Sequence, residues 1–458
     1  MSNEDIHIYD VLIVGGGPCG LAVAARLRES TPSSLFTDSE HQRYHWMKAS
    51  LAKKTSKPFK TSRRSHTARD RLIQGASCPE CLDIAVLDAH GDNWMSAWNE
   101  RFEKLRITHL RSPMFFHPDP QDRDALRGYA WREGTEHELK EIHGVIGKEL
   151  SKHQRKQNVK KGSGKRQQET TYLDERDRLD YFRPSTTLFR NFCEDIASRY
   201  DIANIVEKSE AQKIDYEPSE CGECPGTFIL HTSTGKKFAR TVVFAAGAAL
   251  SPTVPSDCPF SPVGSVCHAL VPSSGPNETI LPAAILRKIS LNKQTNLLIV
   301  GGGLTSAQIA DHAIKSGVTN VYQTMRGPLK IKDFDMELGW VAKFKNVFLA
   351  QFWGLENDTE RLEMYKKARN GGSVNPEYHH ILKSHIASSR LVLHEHTDIA
   401  SAVWDPTSHS WTVNFSDEGR TRALKEDETA AIAVQMKQAK GLMFSVLAIE
   451  DGSSNESA

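Results

Sequence analysis

Two short apolar runs, each broken by consecutive glycines and followed by an Ala/Leu-rich stretch, constrain this chain more than any other feature. The first reads Tyr9-Asp10-Val11-Leu12-Ile13-Val14, then Gly15-Gly16-Gly17-Pro18-Cys19-Gly20, then Leu21 to Leu27. The second reads Leu297-Leu298-Ile299-Val300, then Gly301-Gly302-Gly303-Leu304-Thr305-Ser306, then Ala307 to Ile314. Each is the strand, turn and helix of a dinucleotide-binding unit. Gly15 permits the tight turn, Gly17 lets backbone approach a pyrophosphate, and Gly20 lets helix touch strand, while the free N–H groups at the helix start face the phosphates. Ser306 is small enough to replace the third glycine of the second copy. The fold class expected is α/β, with two Rossmann-like domains, the second inserted in the first.

An acid about 20 residues beyond the first turn accepts ribose hydroxyls in such units. In Ser34-Leu35-Phe36-Thr37-Asp38 that residue is Asp38, with Glu40 as second choice. After the second turn, the strand Val318 to Thr324 ends in Met325-Arg326, and an Arg in place of the acid favours a 2′-phosphate, hence NADPH over NADH. The alternative is a solvated arginine after an edge strand. Between the copies, Thr241-Val242-Val243-Phe244 is a buried strand ending in the small residues Ala245-Ala246-Gly247.

Length and charge complete the outline. The 458 residues suffice for about three domains. Basic residues number 58 and acidic ones 57, yet Lys53–Arg71 holds 8 basic residues and Lys152–Arg166 holds 7, leaving a body of net charge −13. Both segments are rich in Ser, Thr and Gln and carry no nucleic-acid-binding module, so they read as solvated insertions and no nucleic-acid partner is expected. No apolar run approaches a membrane span, and the start MSNEDIHIYD is unlike a signal peptide, so a cytoplasmic location is expected. The domains expected are 1–290 for the first nucleotide, with insertions near 52–72 and 150–170, then 291–425 for the second, then a divergent or truncated segment 426–458 ending in a polar tail.

The glycine turns, their spacing of 286 positions and three further blocks resemble the flavin-dependent N-hydroxylating monooxygenases, the ornithine and lysine N-monooxygenase group, and specifically its fungal members. The blocks are Leu110 to Pro120, Asp180-Tyr181-Phe182-Arg183-Pro184-Ser185, and Lys330-Ile331-Lys332-Asp333-Phe334-Asp335. The resemblance implies an FAD and NADPH enzyme hydroxylating an amine nitrogen through a C4a-hydroperoxyflavin, with O2 and a small amine as its other reactants. It implies that Gly15, Gly17, Pro18, Cys19, Gly20, Ala246 and Gly247 line the FAD site and Gly301, Gly303, Thr305, Ser306 and Arg326 the NADPH site. In such proteins the strand under the first nucleotide ends in Ala-Thr-Gly, and here Ala246 stands where Thr is usual. Arg111 is a candidate flavin neighbour, with Phe115 and His117 as substrate candidates, or else this block is core and a satisfied ion pair. Tyr181 and Arg183 are cofactor or substrate candidates. Lys330 and Lys332 could join Arg326 on the phosphate. Asn375 stands near substrate or nicotinamide in the family, but a helix N-cap ahead of Pro376 is the simpler reading.

Two CxxC pairs, Cys78/Cys81 and Cys221/Cys224, keep a competing reading open, that of an NADPH-dependent flavin or disulfide reductase. Their separation does not suit a zinc ribbon, and no metal is expected. No strand ending in Ala-Thr-Gly follows the meander Ala402 to Phe415. That absence motivates a third reading, a degenerate flavoprotein with a regulatory or binding role. Sequence identifies no catalytic residue, which suits chemistry carried by a cofactor.

Overall fold

The computed structural model describes residues 7–30, 82–145, 175–219, 226–247, 266–269, 280–281, 283–341, 345–405, 410–416 and 442–444. Both basic segments and both CxxC pairs lie outside them. The chain forms two compact units, one of residues 1–99, 113–140 and 184–249, the other of 100–112, 141–183 and 250–458. Two segments that precede residue 249 belong to the second unit, so the two units interleave along the chain.

The first unit is built on a sheet ordered β5-β2-β1-β8-β7-β6. Its strands are β1 (Ile8–Val14), β2 (Ile84–Asp88), β5 (Val206–Lys208), β6 (Ala211–Glu217), β7 (Thr227–Thr232) and β8 (Gly235–Phe244). β3 (Lys140–Glu141) and β4 (Phe182–Arg183) pair separately. β1 runs parallel to both β2 and β8. Val11, Leu12 and Ile13 are all buried, as a parallel strand covered on both faces requires. The helix Pro18–Arg28 buries Gly20, Leu21, Ala24 and Ala25, the one-face spacing of an amphipathic helix. A second helix, Thr186–Arg199, starts at an N-cap where Ser185 Oγ accepts the Leu188 N–H at 2.9 Å, and it buries Phe189, Phe192 and Ile196.

The second unit carries a sheet ordered β12-β11-β10-β15-β9 with every ladder parallel. Its strands are β9 (Val266–His268), β10 (Asn296–Val300), β11 (Asn320–Thr324), β12 (Leu391–His394) and β15 (Leu442–Phe444). One core packs Leu297 and Ile299 with Ala307, Ile309, Ala310 and Ala313 of the helix Leu304–Lys315 and with Leu382 of the helix Pro376–Ala387. Leu298 and Tyr322 pack with the buried Trp411 of an antiparallel hairpin, β13 (Asp398–Asp405) and β14 (Ser410–Ser416).

Within the segment expected to be divergent or truncated, β15 joins the second sheet. Leu442, Met443 and Phe444 pair in parallel with Leu298, Ile299 and Val300, and β9 lies on their other side. A strand paired in parallel on both sides favours a short apolar run without alternation, and Leu442-Met443-Phe444 is one. Among the described residues no helix is long and apolar enough to cross a membrane.

Candidate cofactor sites and a charged cavity

In the first unit, Gly15 has φ +116° and an added Cβ would lie 2.4 Å from the Ala245 carbonyl oxygen, so only glycine fits. At Gly20 the same atom would lie 2.0 Å from the Gly15 oxygen, which is the close helix-to-strand approach expected. Gly17, by contrast, faces empty space, with nothing within 4 Å of a Cβ. This cradle is what a pyrophosphate needs. Gly17 is also the N-cap of the helix Pro18–Arg28, whose first turn holds no acid, so its positive end is left for an anion. Cys19 is an exposed free thiol in that turn. The Ala245 N–H donates to the Val14 oxygen at 2.8 Å, and the Ala246 Cα lies 3.0 Å from the Gly15 Cβ position, so Ala246 and Gly247 (φ +60°) run beside the turn.

Asp38 and Glu40 lie outside the described residues. The strand beside β1 is β2, and it ends in Asp88, a buried acid whose Oδ2 accepts the Gly16 N–H at 2.7 Å. Asp88, 72 residues after Gly16, is thus an acid beside the first turn among the described residues. Its sequence signal was present: Ile84-Ala85-Val86-Leu87-Asp88 is an apolar strand closing on an acid, and only a fixed 20-residue spacing hid it.

In the second unit Gly301 has φ +135°, its N–H donates to the Thr324 oxygen, and Gln323 Nε2 donates to its carbonyl, each at 2.8 Å. A Cβ on Gly302 would meet the Met325 side chain at 3.1 Å, just as one on Gly16 would meet Asp88 at 3.1 Å. Met325 thus holds the position that Asp88 holds in the first unit, and Arg326 follows it, exposed. Gly303 caps the helix Leu304–Lys315, again with no acid in the first turn. Thr305 is half-buried and Ser306 fully buried, as a substitute for a packing glycine should be. Lys330 and Lys332 do not join Arg326: their ammonium groups donate to Asn370 and to the Arg369 carbonyl, at the end of the helix Asp358–Arg369.

Arg111 belongs to the second unit, where it forms the ion pair that was the alternative to a flavin neighbour. Its guanidinium makes five hydrogen bonds: Nε to the Asp333 oxygen, Nη1 to Asp335 Oδ1 and the Ser373 oxygen, Nη2 to the Lys332 oxygen and Ser373 Oγ. Every donor of the side chain is committed. Burial lowers the Arg111 pKa, and the Asp335 carboxylate acts in the opposite direction. The clamp ties the loop 332–335 to Ser373. Its neighbour Gly372 lies so near the second turn that an added Cβ would sit 3.1 Å from the Gly303 Cα. The Tyr181 and Phe334 rings lie 6.3 Å apart in the same unit, so residues from all three family-like blocks meet here. Beside the clamp opens a cavity of about 340 Å³ lined by Arg111, Glu141, His143, Arg183, Asp333 and Glu377, among others. Asn375, buried on its wall, is a helix N-cap whose Oδ1 accepts the Tyr378 N–H at 2.9 Å. Burial, then Asp311 and Glu377, push the Tyr378 phenol up to about 12.

Phe115 and His117 fall in the first unit, so the block Leu110–Pro120 divides between units at 112/113. His117 Nε2 lies 2.8 Å from the Arg123 oxygen, Nδ1 accepts the Asp119 N–H, and the ring meets Phe192 edge-on. Burial lowers its pKa, and the Arg123 carbonyl opposes this. Phe115 lies under the Arg123 guanidinium, 5.1 Å from its centroid. Both residues staple a loop of the first unit. No cluster able to hold a metal occurs among the described residues.

Neither a protein-family profile nor a curated protein sequence matches the chain. Solved structures do. An ornithine N-hydroxylase from Kutzneria sp. 744, with reduced FAD, NADP+ and L-ornithine, aligns at TM-score 0.54 and 14% identity over 96% of this chain and 81% of its own. The cadaverine monooxygenase of desferrioxamine biosynthesis from Erwinia amylovora, bound to FAD, aligns at 0.52 and 13% over 96% and 78%. An L-lysine 6-monooxygenase from Pseudomonas syringae aligns at 0.50 and 12% over 96% and 80%. The chain has the fold of the N-hydroxylating flavin monooxygenases. This two-dinucleotide flavoprotein fold accounts for the paired glycine turns and for both parallel sheets, and at such identities the likeness is one of fold.

Proposed function

We propose that this protein is an FAD- and NADPH-dependent monooxygenase that hydroxylates an amine nitrogen. The observation that carries the reading is the contrast between equivalent positions of the two turns: an acid, Asp88, beside Gly16, and Met325-Arg326 beside Gly302. An acid there accepts the ribose hydroxyls of FAD, whereas an arginine without an acid receives the 2′-phosphate of NADPH. The open cradle at Gly17 fits the FAD pyrophosphate, and the Gly303 helix start fits that of NADPH. Bound flavin would supply the activation of O2, and the chain's part is to hold, orient and exclude water from it. Asp88 keeps the first turn in shape through the Gly16 N–H, and the Arg111 clamp holds Ser373 and the 332–335 loop beside the second turn. We place the enzyme in the cytoplasm and its likeness with the fungal subgroup.

The test is direct. Purified protein should be yellow or become so with FAD, should oxidise NADPH faster than NADH, and should form a hydroxylamine from at least one amine of a panel with NADPH use coupled to product. Protein that binds no flavin overturns the reading. So does NADPH oxidation that yields only hydrogen peroxide with every amine.

A further inference from the structure

The helix Lys345–Trp353 of the second unit has one face anchored and the other bare. Phe348 and Phe352 anchor it, their rings 5.5 and 6.1 Å from that of Trp340. At 3.6 residues per turn the opposite face carries Asn346, Val347, Leu349, Ala350, Gln351 and Trp353, all exposed. Exposed helix faces ordinarily carry charge, yet this one has none, and Trp353 is 70% exposed, Val347 54% and Leu349 42%. Aromatic enrichment with charge depletion is the composition of the core of a contact patch, where a tryptophan is a typical anchor. The charges lie at the ends. Lys345 opens the helix, and the exposed Glu356 stands just beyond its last turn. Each end thus carries the charge that the helix dipole disfavours.

We infer that this face is a two-fold interface with a second copy of the chain, the two helices running antiparallel. Antiparallel pairing sets Lys345 of each copy against Glu356 of the other and opposes the two dipoles, whereas a parallel pair would bring like charges together. The symmetry also fixes which residues meet. Lys345 and Glu356 exchange about a centre between Ala350 and Gln351, so Ala350, in the middle of the exposed face, approaches its own counterpart, and Trp353 lies over Leu349 of the other copy. Ala350 is small enough to let the two backbones draw close. A helix about 13 Å long makes a small contact, so the dimer should dissociate with a Kd on the order of micromolar. The interface needs no cofactor and stands whether or not the flavin reading does.

Sedimentation velocity on the full chain from about 1 to 100 μM, a range spanning the expected Kd, tests this. Wild type should pass from monomer to dimer. Trp353→Glu should stay monomeric throughout with its melting temperature little changed, because the side chain it replaces is exposed. Lys345→Glu sets like charges together at two symmetric places and should weaken the dimer at least about tenfold. Adding Glu356→Lys to the same chain should restore it, a recovery that misfolding cannot imitate. Ala350→Cys, oxidised by glutathione disulfide, should give a covalent dimer that similarly treated wild type lacks. Wild type that remains monomeric at the highest concentration, a Trp353→Glu dimer, or a charge reversal without rescue overturns the inference. So does a monomeric wild type that sediments with phosphatidylcholine vesicles, which would assign the face to a lipid surface. Since association is read without turnover, failure here is distinct from failure of the monooxygenase assignment.

Discussion

The two glycine turns share a backbone and differ in the residue they rest on. β1 and β10 are each followed by a glycine of positive φ, a second glycine packed against the residue at or just past the end of the neighbouring strand, and a third that caps a helix. That neighbouring residue is Asp88 in one unit and Met325 in the other. The pair β8 and β15 repeats the correspondence, with Phe244 opposite Val14 and Phe444 opposite Val300. One scaffold is thus used twice, and on the proposed function a single position decides which ribose chemistry each copy accepts.

The sharpest way to break this comparison is at the glycines themselves. Gly15→Val places methyls against the Ala245 backbone at a positive φ and should cost at least about 4 kcal/mol, read as loss of soluble, flavin-binding protein. Gly17→Val meets nothing at an ordinary φ of −82°, so the fold should survive with the melting temperature little changed while FAD affinity falls by about 100-fold or more, measured by flavin fluorescence. If both variants behave alike, the cradle is not where the pyrophosphate sits.

Next in size is the acid. Asp88→Ala strands the buried Gly16 N–H and removes the ribose acceptor, an expected loss of about 2 to 3 kcal/mol in FAD binding, whereas Asp38→Ala should leave it unchanged. The reverse result would restore the reading by spacing. Arg326→Ala should raise the Michaelis constant for NADPH about tenfold and that for NADH scarcely at all, because the exposed guanidinium answers only the 2′-phosphate. An equal rise for both would remove the phosphate role.

The smallest effect concerns pH. The His117 pKa is lowered in the folded protein by burial, so the unfolded chain binds the proton more readily and stability falls as pH drops below about 6.5. His117→Gln should flatten that slope in denaturant titrations between pH 7 and pH 5, at some cost in stability at neutral pH. A slope unchanged by the substitution would assign the acid sensitivity to other groups.

Local patterns carried most of the architecture. Both strand, turn and helix units are legible because apolar run, glycine spacing and helical stretch are each short-range, and the Asn375 cap is legible from Asn before Pro. What escaped depends on distance along the chain. Asp88 lay beyond an insertion, and β15 is three residues long, so neither a spacing rule nor a periodicity reaches it. The Arg111 clamp joins position 111 to 332–335 and 373, and no pattern within one segment distinguishes a guanidinium with five protein acceptors from one awaiting a cofactor.

The place of β15 also sets the order in which the molecule can be made. All strands of the first sheet emerge by Phe244, so that unit holds its complete ladder while the ribosome is still synthesising the second. Among the described residues the second sheet stays divided until Leu442–Phe444 arrives, because there β10 and β9 meet only through it. Until then two parallel edges stand open, each a template for pairing with another nascent chain. A chain terminated anywhere between β14 and Leu442 should therefore yield a finished first unit carrying an adhesive second one, and the loss would appear as aggregation before it appeared as lost activity.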